Sequence, residues 1–240
     1  MTIIFSVVTK TIIVMASDSA ITNYFSESKE YDIDSKSYFV QDAACVTTWG
    51  SRDGNQIGRF VHNLSNSSQK YSIEIIKEKV FDYLQNEYNP KDMDLDDVGY
   101  HIGGYTESGQ PKLYHVFWGY DRPRRPEQLY REYKICDHSL NQGDIHFLYN
   151  GRNDIAESIV HSILRLFRDN SDVKFRFNDA VDIIRFSDFV VRVGCELTPE
   201  VGLPIVIRFL LPNNKVGTLK HSDFCPLDAD GISEKLSSLR

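Results

Sequence analysis

Residues 2–22 read TIIFSVVTKTIIVMASDSAIT, and they carry the clearest structural signal in the chain. The apolar and β-branched run from Ile3 to Val8 predicts a strand, Thr9 and Lys10 a tight turn, and Thr11 to Ala16 a second strand. A strand that starts directly after Met1 gives Thr2 a particular chemistry. Removing the methionine places a threonine hydroxyl beside its own free α-amine. An unblocked α-amine has a pKa of roughly 7.7–8.0, so it accepts a hydroxyl proton near neutral pH. Nucleophile and base then belong to one residue.

The bulk properties limit the alternatives. With 240 residues, 41% of them hydrophobic, the chain is long enough for one large core and reads as a single domain over 1–240. Its end, from about residue 222, is rich in Asp, Ser and Lys without a long apolar face and is expected to be a mobile tail. The net charge of −7 argues against a surface that tracks phosphates, so no nucleic-acid partner is expected. Cys45, Cys136, Cys195 and Cys225 are widely separated and show no C-x-x-C spacing, which points to reduced thiols in a cytoplasmic protein. The apolar start lacks a basic n-region and is interrupted at Thr9–Thr11, unlike a signal peptide. No apolar run is long enough to span a membrane.

The rest of the chain continues in short strands and amphipathic helices. After a polar stretch, Asn23 to Lys36, strands are predicted at Ser37–Gln41 and Ala44–Trp49, as a second hairpin of the same sheet. Gly50 ends it, and a helix is predicted from Arg52 or Asp53 to Leu64. Ile73, Ile76, Val80, Phe81 and Leu84 follow helical spacing after Ser72, a suitable N-cap. Residues 98–118, VGYHIGGYTESGQPKLYHVFW, alternate on either side of a turn-forming centre and predict a further hairpin. A strand over 145–150, helices over 153–168 and Asn178–Val191, and strands over Leu203–Leu211 and Lys215–Lys220 complete the order. Two sheets packed face to face with helices on both outer sides bury every apolar face in that order. The fold class is therefore α+β, a four-layer αββα sandwich of two antiparallel sheets.

The opening hairpin resembles that of the proteasome β-type subunits and their bacterial relatives, the threonine members of the N-terminal nucleophile (Ntn) hydrolases. Thr2, Asp18, Ser19 and Thr22 fall without a gap on that family's leading threonine, acidic residue, serine and later threonine. Gly103, Gly104, Leu113 and Tyr114 match its central strands. The resemblance implies peptide-bond cleavage with Thr2 as nucleophile, Asp18 paired to a lysine, and the N–H of Gly50 as oxyanion donor. Lys36 is the lysine nearest the family's position, with Lys29 as the competing candidate. Further implications are a peptide or unfolded-protein substrate, homo-oligomeric rings or stacked rings, a possible separate ATPase, and the β-type because no helical extension precedes the first strand.

Several positions depart from the family. In YNGRND, Gly151 is kept but the family's serine position falls on Asn150 or Arg152; CELTPEVG offers only Glu196 and Thr198 for a late aspartate and serine; Ala20 and Ile3 replace the usual basic residue and second threonine. A scaffold or binding subunit without catalysis is therefore an alternative, and a small-amide hydrolase a third. No Walker motif or G-x-G-x-x-G occurs, so no cofactor is expected. Cys136, His138 and His146 are read as ordinary loop residues rather than a partial metal site, RPRRP (122–126) as a solvated loop, and DADG (228–231) as lacking calcium-loop spacing.

Overall fold

In the computed structural model the described residues are 2–22, 29–31, 36–50, 54–88, 97–120, 131–140, 145–169, 179–198 and 201–239. The strands are β1 (Ile3–Thr9), β2 (Ile13–Ser17), β3 (Ala20–Thr22), β4 (Lys29–Tyr31), β5 (Ser37–Val40), β6 (Ala44–Gly50), β7 (Val98–Tyr105), β8 (Pro111–Tyr120), β9 (Arg131–Asp137), β10 (Ile145–Gly151), β11 (Ile205–Leu211) and β12 (Lys215–His221). The helices are α1 (Gly54–Ser65), α2 (Ile73–Tyr83), α3 (Asn153–Asp169), α4 (Ala180–Leu197) and α5 (Ala229–Ser237), and a π-helical turn, Leu84–Tyr88, continues α2.

One antiparallel sheet has the order β10-β1-β2-β11-β12 and the other β5-β6-β7-β8-β9, with β3 and β4 forming a separate two-stranded ribbon. Alternation along β1 explains the layers. Ile3, Phe5 and Val7 join Ile183, Ile184, Val190 and Val191 of α4 in the core outside the first sheet. Val8 faces the other way and meets Met15, Cys45, Leu113 and Leu210 between the sheets. With both faces covered, β1 and β2 are buried along their whole length, so the opening hairpin reads as an almost continuous apolar run. Val46, Val98, Tyr100 and Val116 of the second sheet pack with Ile57, Ile76 and Val80 of α1 and α2. The αββα sandwich of the sequence reading is the observed fold.

The hairpin β5–β6 was expected in the same sheet as β1–β2, and the structure corrects this: it opens the second sheet. Both edges of the β1–β2 hairpin are already occupied, by β10 along β1 and by β11 along β2. No ladder remains for β5 there. Strand β9 was not expected; it is an edge strand of intermediate burial beside β8, and two apolar residues, Tyr133 and Ile135, make a weak periodic signal.

Helix α2 begins as predicted, with the Ser72 hydroxyl accepting from the Ile75 N–H at 3.4 Å. Helix α4 runs past its predicted end, because Gly194 and Cys195 continue the buried face of Val191. The polar C-terminal stretch contains α5, capped by Asp228, and Ile232 and Leu236, one turn apart, are buried. Two apolar residues at that spacing are enough to seat a short helix, and DADG supplies its cap. The predicted start of α1 at Arg52 or Asp53, the RPRRP segment and most of the loop before Lys36 lie outside the described residues. Among the described residues no helix is long and apolar enough to cross a membrane.

Candidate functional site

Thr2 stands one residue before β1 and is almost fully buried. Its carbonyl accepts from the Arg152 N–H at 3.0 Å. Ile3 faces Gly151 and Ile4 faces Asn150 in the β1–β10 ladder. Gly151 has φ of +91°, and a Cβ there would collide with the Thr2 carbonyl oxygen. A glycine is therefore required where β10 passes under Thr2.

Asp18 follows directly after β2 and has no solvent exposure. Its carboxylate is surrounded by donors. Oδ1 accepts from the Ile3 N–H at 3.1 Å and the Lys36 ammonium at 2.8 Å. Oδ2 accepts from the N–H groups of Ala20 at 3.1 Å and Gly202 at 3.3 Å. A buried carboxylate persists when its lone pairs are filled in this way. The structure therefore brings Asp18 and Lys36 together beside the peptide group that joins Thr2 to Ile3. Lys29 pairs through its backbone with Thr22 in the ribbon, and its side chain lies outside the described residues.

Burial pushes the Lys36 ammonium below its ordinary pKa, with Asp18 pulling the other way. A lysine in that state delivers positive potential to its surroundings and exchanges a proton more readily than a surface lysine. The Lys36 carbonyl accepts from the Thr48 N–H at 2.9 Å, tying the lysine to β6 two residues before Gly50. Gly50 has φ of +92°, and a Cβ would collide with the Asp97 carbonyl oxygen. Backbone geometry alone thus explains this glycine. Cys195 lies within electrostatic reach of Asp18 and Lys36, but burial pushes its thiol up to about 12. It stays protonated and is a poor nucleophile.

Each departure from the family has a local partner. Asn150 Oδ1 is bonded to His101 Nε2 at 2.7 Å. Thr198 accepts from the Arg152 guanidinium at 2.7 Å, while the same guanidinium grips both oxygens of Asp154. Glu196 turns away toward Arg192 at 3.7 Å. Ala20 contributes its N–H to Asp18. The hydroxyls of Ser17 and Ser19 are buried without a hydrogen-bond partner among the described residues.

Sequence reasoning missed the Gly202 N–H and His101. Gly202 has no sequence signal, being a backbone donor from a distant segment. His101 has one, a single imidazole inside the otherwise apolar and glycine-rich run of β7. The reading of Cys136 as a loop residue is corrected, since it lies in β9, while His146 lies in β10, within the strand predicted over 145–150. Among the described residues no group of three or more His, Cys, Asp or Glu is placed to hold a metal.

No family model and no curated protein matches the chain. Solved structures do. A Gly-1 mutant of Anbu from Hyphomicrobium sp. strain MC1 superposes with a TM-score of 0.63 at 12% identity, over 99% of this chain and 94% of that one. Anbu from Yersinia bercovieri, described as an ancestral β-subunit, gives 0.61 at 10% identity over 98% and 95%. A further Hyphomicrobium Anbu structure gives 0.59 at 11% identity over 98% and 95%. These findings correct the sequence-based placement of the chain among the proteasome β-type Ntn hydrolases. The structures it resembles are Anbu proteins, a distinct proteasome-like group, and at this identity the likeness establishes the fold alone.

Proposed function

We propose that this chain hydrolyses amide bonds of peptides or unfolded protein segments, with Thr2 as the nucleophile once Met1 is removed. One observation carries the reading: the buried Asp18–Lys36 pair, whose shared Oδ1 also accepts from Ile3 N–H beside Thr2. An ion pair taken out of water at this cost, next to the first residue of a strand, suits a site that manages charge at Thr2.

The Thr2 α-amine takes the proton of Oγ as Oγ bonds to the substrate carbonyl carbon, and the oxyanion is met by the Gly50 N–H. The C–N bond breaks, and the leaving amine nitrogen takes the proton from the α-ammonium. Water then attacks the ester, giving its proton to the α-amine, and the Thr2 hydroxyl is restored on release of the acid. Lys36, held by Asp18, lowers the pKa of the Thr2 hydroxyl and disfavours protonation of the resting amine. The proteasome-like fold supports action as a homo-oligomer.

The test combines the intact mass of untagged protein with turnover of a fluorogenic peptide amide. The expected mass begins at Thr2, and Thr2→Ala abolishes turnover while leaving assembly intact. Turnover undiminished in Thr2→Ala would remove the proposal. A non-catalytic subunit is the second reading, favoured by the engagement of Asn150, Thr198 and Glu196 with His101, Arg152 and Arg192. It predicts that Met1 is retained in the assembled protein.

A further inference from the structure

Ser6 of β1, His101 of β7 and Asn150 of β10 form a polar crosspiece between the two sheets. The Ser6 hydroxyl lies 2.8 Å from His101 Nδ1, and Asn150 Oδ1 lies 2.7 Å from His101 Nε2. The amide oxygen can only accept, so Nε2 carries the proton and the hydroxyl donates to Nδ1. A neutral imidazole, with one donor and one acceptor, satisfies both partners at once. Burial lowers the His101 pKa to about 3, which keeps the ring in that form across the physiological range.

The crosspiece ends where Thr2 is held. Asn150 is opposite Ile4, Gly151 is opposite Ile3, and the Arg152 N–H bonds the Thr2 carbonyl. Asn150 is only partly buried, near the end of its strand, whereas His101 is fully enclosed. Strand ends are the least restrained part of a ladder. The imidazole therefore ties this end of β10 to the middle of the opposite sheet.

We propose that His101 and Asn150 are positioning residues for Thr2, the buried imidazole fixing the Asn150 amide and so the 150–152 segment against which the nucleophile rests. This rests on the reading of Thr2 as nucleophile. Neither side chain touches the reacting atoms; their effect is on where Thr2 sits. A displacement of about 1 Å at a reacting group is enough to cost about 100-fold in rate.

The experiment uses the untagged, Met1-processed protein and a short peptide ending in a carbonyl-reactive electrophile, with the adduct located by mass spectrometry. Labelling is resolved into affinity and maximal rate. In Asn150→Ala the maximal rate is expected to fall about 100-fold with affinity unchanged. His101→Gln, whose amide also offers a donor and an acceptor, is expected to lose less. The double variant should label no more slowly than Asn150→Ala, since one link cannot be cut twice. Wild-type labelling rates in Asn150→Ala, or losses that multiply in the double variant, would overturn the inference while leaving the Thr2 reading in place. Failure of the wild-type protein to form an adduct on Thr2 would remove both. If Asn150→Ala does not fold, His101→Leu, similar in bulk but without a donor or acceptor, decides alone: a slower maximal rate at constant affinity supports the link, and an unchanged rate refutes it.

Discussion

Acidification should unfold this protein through its buried histidines, and His101 gives the magnitude. In the unfolded chain an imidazole titrates at about 6.5, whereas in the fold burial holds His101 to about 3. Between those values the unfolded state binds the extra proton. The stabilising contribution is therefore complete above about pH 6.5, is lost as the pH falls through that window, and stops changing below about pH 3. At pH 5 the medium is about 1.5 units below the unfolded value, and about 1.4 kcal/mol per unit gives a loss of about 2 kcal/mol. His115, held well below its ordinary value by burial and by His101 and His138, acts in the same direction. So do His138 and His146, both lowered chiefly by burial, although Asp137 partly offsets the effect on His138. The rings form a file, with centroid separations of 5.2, 6.2 and 5.2 Å from His101 through His115 and His138 to His146, so each proton added makes the next less favourable. Urea unfolding at pH 7.5 and pH 5 reads the effect. For a slope of about 3 kcal/mol per molar, the His101 contribution alone moves the midpoint by about 0.7 M. His101→Gln removes that titration, so its pH 7.5 to pH 5 loss should be smaller than the wild type's by about 2 kcal/mol. Equal losses in the two proteins would refute the argument, as would NMR detection of a protonated His101 ring at pH 5 in the folded state.

Two further outcomes follow from the site. Asp18→Ala leaves the buried Lys36 ammonium without its counter-charge and three backbone N–H groups without an acceptor; a loss of about 3–5 kcal/mol is expected in denaturant unfolding, and adding Lys36→Met should restore part of it. A loss under about 1 kcal/mol would mean that water reaches the pair. Gly151→Ala forces a methyl group onto the Thr2 carbonyl at a left-handed φ. Its melting temperature should fall by an amount equivalent to about 2 kcal/mol or more, whereas Gly109→Ala, at φ +77° but in open space, should lose only about 1.

The order of elements and the layered architecture were legible in the chain because burial leaves a periodic imprint. The apolar run of β1 and β2, the helical spacing from Ile73 to Leu84 and the paired strands about Gly109 each record a local geometry that neighbouring residues share. Asp18 was singled out by its match to the acidic position of a family's opening hairpin. Lys36 was singled out by likeness to a family, and the structure puts it 2.8 Å from Asp18. The resemblance itself reached too far, since an opening hairpin and a few strand residues describe a fold that Anbu proteins share.

Contacts between remote segments had no such imprint. The Gly202 N–H reaches Asp18 across 184 positions and Asn150 reaches His101 across 49, and neither pairing alters the periodicity of its own segment. The sheet in which β5 and β6 sit was likewise settled by competition for strand edges: β10 and β11 take both sides of the first hairpin, and local sequence carries no record of that. Sequence alone determined the strongly periodic apolar faces that turn inward, because their spacing is a local property. Tertiary structure alone decided which of those residues meet, because a meeting depends on how the whole chain closes.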